Sequence, residues 1–288
     1  MSAEAASLAT EGSPFALRRL RAEALRARHP FAADPLTLYL ALLAVHEDVW
    51  DAVRERRPNP DELAAWAGAR VVPAVVEATV AAGPPALREA VCSRPADDNH
   101  QALVGWLAGA PLAPVERYLA RASLAPVLEA LGERAGAACA PARDGEASSR
   151  CPRCGGLPQL SYLASSGEAL VTGPRSLLCA RCTASWRCSR SVCPACGESQ
   201  EARLSVYAER LGGPVVSGNG GGGDGAERPV FAHLRIAACA TCHRYLIEVD
   251  LAHDARAVPE VDELAALPLD LYAADEGLTK ITPNLMGF

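Results

Sequence analysis

The sequence contains no uncharged apolar run of about 18 residues, the length that a membrane-spanning helix requires. Its first residues, MSAEAASLATEG, contain Glu4 and no apolar core, and no lysine or arginine precedes Arg18, so they do not resemble a signal peptide. We therefore expect a soluble cytoplasmic protein without membrane insertion. In that compartment thiols stay reduced, and paired cysteines indicate metal or redox chemistry rather than structural disulfides.

A surplus of positive charge is also missing. The chain has 28 lysine and arginine residues against 34 acidic ones, and only one of the cations is a lysine, Lys280. Because phosphate-backbone binding needs surplus positive charge, this composition disfavours nucleic acid as a partner.

Catalytic patterns are absent as well: there is no Ser/His/Asp set, no phosphate loop and no paired-carboxylate signature. The acidic cluster Glu260, Asp262 and Glu263 is typical of the charged first turn of a helix rather than of a catalytic pair. We therefore expect a protein that is not an enzyme, and we assign no catalytic residue.

Cysteine, by contrast, is abundant, with 11 residues in the chain. Eight of them form four Cys-x-x-Cys pairs in the second half, and two such turns complete a tetrahedral four-thiolate site for zinc or iron. In sequential pairing the first site is Cys151, Cys154, Cys179 and Cys182, and the second is Cys193, Cys196, Cys239 and Cys242.

An internal repeat favours this sequential pairing over a crossed one. CPRCG at Cys151 and CPACG at Cys193 each precede a plainer Cys-x-x-Cys pair, which is followed by an aromatic residue, Trp186 or Tyr245. Two copies of one small unit are the simplest interpretation. Closed four-thiolate sites usually hold structural zinc, and four pairs argue against the single exposed pair of a thioredoxin-like enzyme.

Three cysteines fall outside the pairs. Cys92 and Cys139 lie in the first half, where we expect them to be buried small apolar residues. Cys188 lies between the two proposed sites, and a reactive or ligand-exchanging role for it stays open.

The first half is predicted to be an alanine-rich helical bundle. In the segment Asp34 to Arg56, Asp34 is a candidate N-cap, Pro35 occupies the first helical position and Pro58 follows the end. Further helices are expected around Pro14 to Arg28, Pro60 to Ala67, Val72 to Ala82, Asp97 to Ala108 and Pro114 to Ala138.

The second half has a different pattern. Short β-like runs, LPQLSYL, ARLSVYAER, FAHLRIAAC and RYLIEVD, each lie beside a cysteine pair, a glycine-rich loop covers Gly212 to Arg228, and Val261 to Gly277 return to helical spacing. We predict an α+β fold. Its parts are a helical domain over 1–147, two tandem rubredoxin-like or zinc-ribbon β modules over 148–190 and 191–258, and a C-terminal helical tail over 259–288 that packs on the modules. The linker lies in Pro141 to Arg150.

A cluster of arginines accompanies the cysteines. Arg175, Arg181, Arg187 and Arg190 surround Trp186 without an acidic residue between Ala169 and Gly197. Such a patch can stack on bases, meet an acidic protein surface or simply be a solvated loop. His233 and His243 flank the fourth pair, and we expect both to face solvent because eight thiolates already fill two sites.

The segments CPRCGGLP, CARCTASWRCSRSVCPACG and CATCHRYLIEVD, together with the tail VPEVDELAALPLDLYAADEGLTKITPNLMGF, resemble the FdhE family of formate dehydrogenase accessory proteins. The resemblance covers residues 150 to 288 and is weaker in the first half. The long glycine-rich insertion after Leu211 and the extra Cys188 depart from the family pattern.

What the resemblance implies is a cytoplasmic factor that binds the catalytic subunit of formate dehydrogenase during assembly. It also implies two rubredoxin-like sites, with the eight paired cysteines as ligands and iron as the favoured metal. Zinc is the alternative. A zinc-ribbon nucleic-acid binder and a redox protein that transfers electrons remain alternative functions, and a homo-oligomer remains possible.

Overall fold

The computed structural model describes residues 13–140, 149–164, 173–209 and 230–287. The glycine-rich loop predicted over 212–228 lies outside these residues, as does most of the linker predicted over 141–150. The domain boundaries therefore stay predictions. The predicted α+β class is confirmed, because a helical N-terminal part precedes a sheet that carries two clusters of four cysteines.

Seven helices form the N-terminal bundle within the described residues. They are α1 (Phe15–Arg28), α2 (Ala33–Arg56), α3 (Leu63–Arg70), α4 (Val72–Ala82), α5 (Pro85–Cys92), α6 (Ala96–Ala108) and α7 (Pro114–Leu131). The sequence did not predict α5. The prediction for α7 was too long, because Gly132 adopts a φ of 56° and the next residues form a 3-10 helix, Gly132–Ala138.

Helix α2 lies between two cores. Its Leu38 and Leu42 pack into the core of the bundle, whereas Leu36 and Leu43 pack into a second core that the bundle shares with the sheet. A helix that is apolar on more than one side is typical of a buried position. The helix begins at Ala33, two residues before the predicted first helical position, so Asp34 lies in its first turn and is not its N-cap.

In the second part the strands of the two predicted tandem modules join in one continuous sheet. Its strands are β1 (Pro158–Leu163), β2 (Arg175–Cys179), β3 (Ser185–Arg187), β4 (Leu204–Ala208), β5 (Leu234–Cys239), β6 (Arg244–Asp250) and β7 (Thr279–Lys280). The spatial order is β3-β2-β1-β6-β5-β4, with β7 also beside β6. Strands β2, β3 and β7 were not predicted.

The order of strands shows how the two repeats are related. The first repeat contains β1–β3 and the second contains β4–β6. From one edge of the sheet to the other, both repeats are ordered from their third strand to their first, so a translation rather than a twofold axis relates them. The junction is a parallel pairing of β1 with β6, in register from Ser161 opposite Glu248 to Leu163 opposite Asp250. The first strand of the first repeat, β1, therefore hydrogen-bonds directly to the last strand of the second repeat, β6.

The C-terminal tail packs on this sheet through α8 (Pro259–Ala265) and α9 (Leu267–Asp275). A network of buried polar groups joins it to its neighbours. Lys280 pairs with Glu263 at 2.8 Å and with Asp270 at 3.1 Å, and the Tyr245 hydroxyl donates to Asp270 at 2.8 Å. The Tyr245 hydrogen bond thus joins β6 to the tail, while the Lys280 ion pairs, which have almost no contact with water, hold the tail itself together.

The same network reaches the bundle. Arg121 on α7 donates to the carbonyl of Pro283 at 2.6 Å and to the side chain of Gln159 on β1, which in turn donates to Glu263. Buried charges need partners of this kind, because an unpaired one costs several kcal/mol. Bundle, sheet and tail are consequently held in one arrangement.

Within the described residues, no single helix is both long and apolar enough to cross a membrane. The bent pair Pro60–Arg70 and Val72–Ala82 passes that test only when its two members are taken together.

His46 makes folding stability depend on pH. It is buried at the α2–α7 contact, where its Nε2 lies 2.8 Å from the Ala122 carbonyl, and burial lowers its pKa to about 4. The unfolded chain, with a pKa near 6.5, binds the proton first. Stability is therefore lost as pH falls from about 6.5 towards 4, by up to about 3 kcal/mol.

We expect His46→Gln to remove this part of the pH dependence. The measurement is the free energy of unfolding in urea at several pH values, taken as the difference between variant and parent. His100→Gln, at an exposed position on α6, is the matched control and should leave the parent's profile unchanged. An identical pH profile for His46→Gln and the parent would contradict this account.

Candidate metal centres

The first cluster of thiols lies where the first repeat meets the bundle. Cys151 and Cys154 come just before β1, and Cys179 and Cys182 form the turn between β2 and β3. The four sulfur atoms lie within 4.8 Å of one another, with 3.4 Å from Cys154 to Cys179 and 3.6 Å from Cys151 to Cys182. All four belong to the core cluster of the bundle.

The second cluster repeats this arrangement. Cys193 and Cys196 precede β4, and Cys239 and Cys242 form the turn between β5 and β6. The sulfurs again lie within 4.8 Å of one another, and the Cys193–Cys242 and Cys196–Cys239 separations are both 3.8 Å. The structure therefore brings the eight predicted thiols together in the sequential pairing.

The separations fit a tetrahedral metal ion. Metal–sulfur bonds of about 2.3 Å place the four sulfurs about 3.8 Å apart. Backbone N–H groups also point at the sulfurs: Arg181 N lies 3.3 Å from Cys179 Sγ and Ala195 N lies 3.4 Å from Cys193 Sγ. Each cluster can hold one ion. Both zinc and iron accept four thiolates, so the donor set alone does not distinguish them.

All four cysteine turns share a backbone conformation. The residue after the second cysteine is left-handed each time, with φ of 67° at Gly155, 58° at Thr183, 79° at Gly197 and 54° at His243. This conformation tightens the turn so that both sulfurs face one point. Glycine signals this conformation in the first and third turns, whereas Thr183 and His243 do not signal it in the other two.

The two clusters differ in their exposure. All four cysteines of the first are buried, between 0% and 2% exposed. In the second, Cys193 and Cys239 are buried, whereas Cys196 is exposed and Cys242 is half-buried. Cys179, in the first cluster, has a thiol pKa well above its ordinary value, and burial is the largest cause of this increase. A bound divalent cation favours the thiolate and so works against that effect.

Arg181 lies inside the second turn of the first cluster. Its guanidinium donates to the Cys154 carbonyl at 2.8 Å and lies 6.0 Å from the centre of the Trp106 ring. Beside it is Cys139, which is half-buried rather than buried as expected. Hydrogen bonding with Cys154, and then the charge of Arg181, lower the pKa of the Cys139 thiol. Sequence spacing gave no indication that Cys139 lies here.

The remaining free cysteines do not form a site. Cys92, expected to be buried, is exposed at the end of α5. Cys188 is half-buried against Leu177, Leu246 and Ile281. Burial raises the pKa of its thiol and so lowers the thiolate fraction, which disfavours a reactive role.

The arginines around Trp186 do not form one exposed patch. Arg175 and Arg181 are buried, and Arg175 lies 3.5 Å from Glu248 in an ion pair. Arg187 and Arg190 are exposed. A surface that binds nucleic acid needs its cations close together and accessible. Because two of these four arginines are buried, they do not support nucleic-acid binding.

One histidine expectation was wrong. His233 is buried and its Nε2 lies 2.7 Å from Asp262, whereas His243 is exposed as expected. The acidic cluster does begin a helix, α8, but its Asp262 and Glu263 are completely buried. Asp262 also binds Arg21 on α1, so these carboxylates join the tail to other parts of the fold.

The fold and these clusters define a class: an α+β protein in which a helical bundle packs on a sheet with two four-cysteine sites. A crystal structure titled as that of the FdhE protein from Pseudomonas aeruginosa has the same fold. It aligns with a TM-score of 0.63 over 94% of this chain and 94% of that one, at 22% identity.

Sequence comparisons find similarity to proteins of the same name. Residues 223–286 match the family model described as FdhE, C-terminal domain. Proteins named FdhE homolog are 28% identical over 138 residues in Aquifex aeolicus, 32% over 142 in Pseudomonas aeruginosa and 31% over 137 in Pseudomonas putida. These alignments span 48%, 49% and 48% of this chain, but only 41%, 40% and 38% of the relatives. On these findings the chain is similar to FdhE proteins, in sequence over about half of its length and in fold over 94% of it.

The difference in exposure predicts that metal leaves the second cluster first. With excess chromophoric chelator, we expect release in two phases, each of about one ion per chain, because a chelator reaches Cys196 and Cys242 before the buried sulfurs. In the double variant Cys193→Ser, Cys196→Ser only the slow phase should remain. A single phase in the parent, or a fast phase that survives in this variant, would show that exposure does not control release.

Proposed function

We propose that this chain is a cytoplasmic accessory protein for the assembly of formate dehydrogenase. It binds the catalytic subunit of that enzyme through the sheet that the two metal-thiolate sites support. The proposal rests on the similarity to FdhE proteins and on one observation of the structure: each cluster presents four thiols to a single point. A metal ion held by four protein ligands has no open position for a substrate, so the sites suit a binding protein better than an enzyme.

In this proposal Cys151, Cys154, Cys179 and Cys182 hold one ion and Cys193, Cys196, Cys239 and Cys242 hold the other. Iron is the metal that the family resemblance favours, and zinc is the alternative. When bound, either ion supplies cross-links between strands that are three to seven residues long. Small β modules of this kind bury too little apolar surface to fold without such links.

The surface that fits a partner polypeptide is the edge of the sheet at β4. Within the described residues β4 pairs only with β5, so its other edge presents backbone donors and acceptors. Beside it lies a groove of about 660 Å³, lined by aromatic and aliphatic side chains that include Phe31, Val206 and Tyr272. Val206 is 61% exposed.

An extended segment of the catalytic subunit is the occupant that we propose for this edge. A sheet edge binds an extended peptide through main-chain hydrogen bonds, while alternate side chains enter the adjoining groove. The edge also depends on the second cluster, because Leu204 at the start of β4 pairs with Cys239. Loss of metal there should therefore disturb the binding surface itself.

A point substitution on β4 tests this surface. We expect Val206→Arg to reduce capture of the co-expressed formate dehydrogenase catalytic subunit about tenfold or more, because an exposed apolar contact is replaced by a charge. The matched control is Val104→Arg, at a position 46% exposed on α6, which should capture as the parent does. The measurement is an affinity capture under anaerobic conditions, with the subunit quantified by immunoblot.

Two outcomes would count against the proposal at different levels. Undiminished capture by Val206→Arg, with its melting temperature unchanged, would contradict the β4 surface while leaving the accessory role intact. Failure of the parent to capture any formate dehydrogenase subunit would contradict the accessory role itself.

Electron transfer is a second candidate function, and the exposure of the second cluster favours it, because electron transfer requires a centre close to the surface. Voltammetry of the iron-loaded protein tests this role. A reversible one-electron wave that disappears in the Cys193→Ser, Cys196→Ser variant supports it, and the absence of any wave in the parent removes it.

A further inference from the structure

Aromatic rings from all three parts of the fold line the groove beside β4. Phe31 comes from the short 3-10 helix between α1 and α2, Tyr207 from β4 and Tyr272 from α9 of the tail. Phe31 is 45% exposed, Tyr272 is 44% exposed and Tyr207 is half-buried. Each of these three rings therefore has surface that a ligand can reach.

Contacts with neighbouring rings hold these side chains in place. The ring centres of Tyr207 and Tyr272 lie 5.8 Å apart. Phe31 packs edge-on against Phe231, with 6.0 Å between the ring centres, and Phe231 is buried in the floor of the groove. Rings that are already fixed lose little conformational freedom when a ligand stacks on them.

The rim of the groove is negative, and no described lining residue is basic. Glu209, exposed just after β4, accepts a hydrogen bond from the Phe231 backbone N–H at 2.9 Å. Within the part of the chain that the structure describes, Glu209 has no ion-pair partner. Arg235, which pairs with Ala208 across the strands, is already balanced by Asp250 at 2.8 Å.

A second carboxylate lies at the other pair of rings. Partial burial, and then the charge of Glu276, raise the pKa of the Tyr272 hydroxyl. The Glu276 side chain is therefore close to this ring, one helical turn further along the chain. Accessible rings beside carboxylates are complementary to a cation rather than to a neutral or acidic ligand.

The flat shape of the rings favours one kind of cation. A guanidinium group stacks on an aromatic face and binds a carboxylate through paired hydrogen bonds. A lysine ammonium is a more strongly hydrated point charge and cannot stack in this way. The chemistry of the groove therefore fits arginine better than lysine.

We propose that the groove binds an arginine side chain of the extended segment that lies along β4. This inference rests on the proposed accessory role and specifies the sequence of the partner. The groove has a volume of about 660 Å³, more than one side chain fills, and its apolar walls include Val230 and Leu269. In an extended segment, residues two positions apart lie on the same face, separated by about 6.8 Å. The motif is therefore an arginine with a large apolar residue two positions away.

Fluorescence anisotropy with labelled octapeptides tests this motif on the full-length, metal-loaded protein. The probe is Thr-Val-Thr-Arg-Thr-Leu-Thr-Ser, in which arginine and leucine share a face. One comparison peptide carries citrulline, which keeps the shape of arginine without its charge. A second, Thr-Val-Arg-Thr-Thr-Leu-Thr-Ser, places arginine and leucine on opposite faces. We expect the probe to bind with a Kd on the order of 10–100 µM and both comparison peptides to bind about tenfold more weakly.

Variants separate the charge of the groove from its shape. Glu209→Gln keeps an oxygen that can accept from the Phe231 N–H, and it should weaken binding of the probe about fivefold without changing that of the citrulline peptide. Tyr272→Leu keeps an apolar surface without the ring and should likewise weaken only the probe. The matched control is Glu55→Gln, at an exposed position on α2, which should leave both affinities unchanged.

The proposal is overturned if the probe and the citrulline peptide bind the parent equally, or if no peptide binds at about 1 mM. An equal loss of both peptides in Glu209→Gln would also contradict it, because a disturbed structure would then be the cause. If free arginine amide displaced the probe as readily as the unlabelled probe peptide does, the ligand would be a small guanidinium compound and the peptide assignment would fail. All these outcomes leave the accessory role intact, since capture of the catalytic subunit by the parent decides that role.

Discussion

The convergence of four sulfur atoms on one point, twice, is the constraint on which the rest of the structure depends. Each cysteine turn is closed by a left-handed residue. Two of the turns precede a strand and two connect neighbouring strands, so the geometry of the sulfurs sets where the strands begin and how they pair. The first cluster is also part of the core of the bundle. Folding of the helices around it is therefore coupled to the same thiolate chemistry that stabilises the sheet.

A second constraint keeps the parts in register. A buried network joins tail, sheet and bundle with almost no contact with water; its members are Lys280, Glu263, Asp270, Gln159 and Arg121. Buried ion pairs contribute little net stability, but removal of one member leaves an uncompensated charge and is costly. The network thus penalises any other arrangement of the three parts. The groove beside the β4 edge lies where this fixed arrangement brings bundle, sheet and tail together.

Much of this could be predicted from the sequence because the signals are local. Cysteine spacing predicted which thiols lie together, and the positions of proline and glycine predicted where most helices begin and end. The parallel pairing of β1 with β6 could not be predicted, since it joins strands over 80 residues apart. The left-handed Thr183 and His243, the burial of His233 against Asp262 and the position of Cys139 beside the first cluster also depend on tertiary packing. No pattern within a short window of the sequence carries that information.

The sheet folds as described only with metal in both clusters, so the most direct measurement is the metal content per chain by elemental analysis. The protein should be purified anaerobically from its native host, and its fold should be followed by circular dichroism as the metal is removed. We predict about two ions of iron or zinc per chain, and loss of the β signal together with the second half of the metal. A chain that keeps its full circular dichroism and its melting temperature with less than about one ion bound would contradict the central claim.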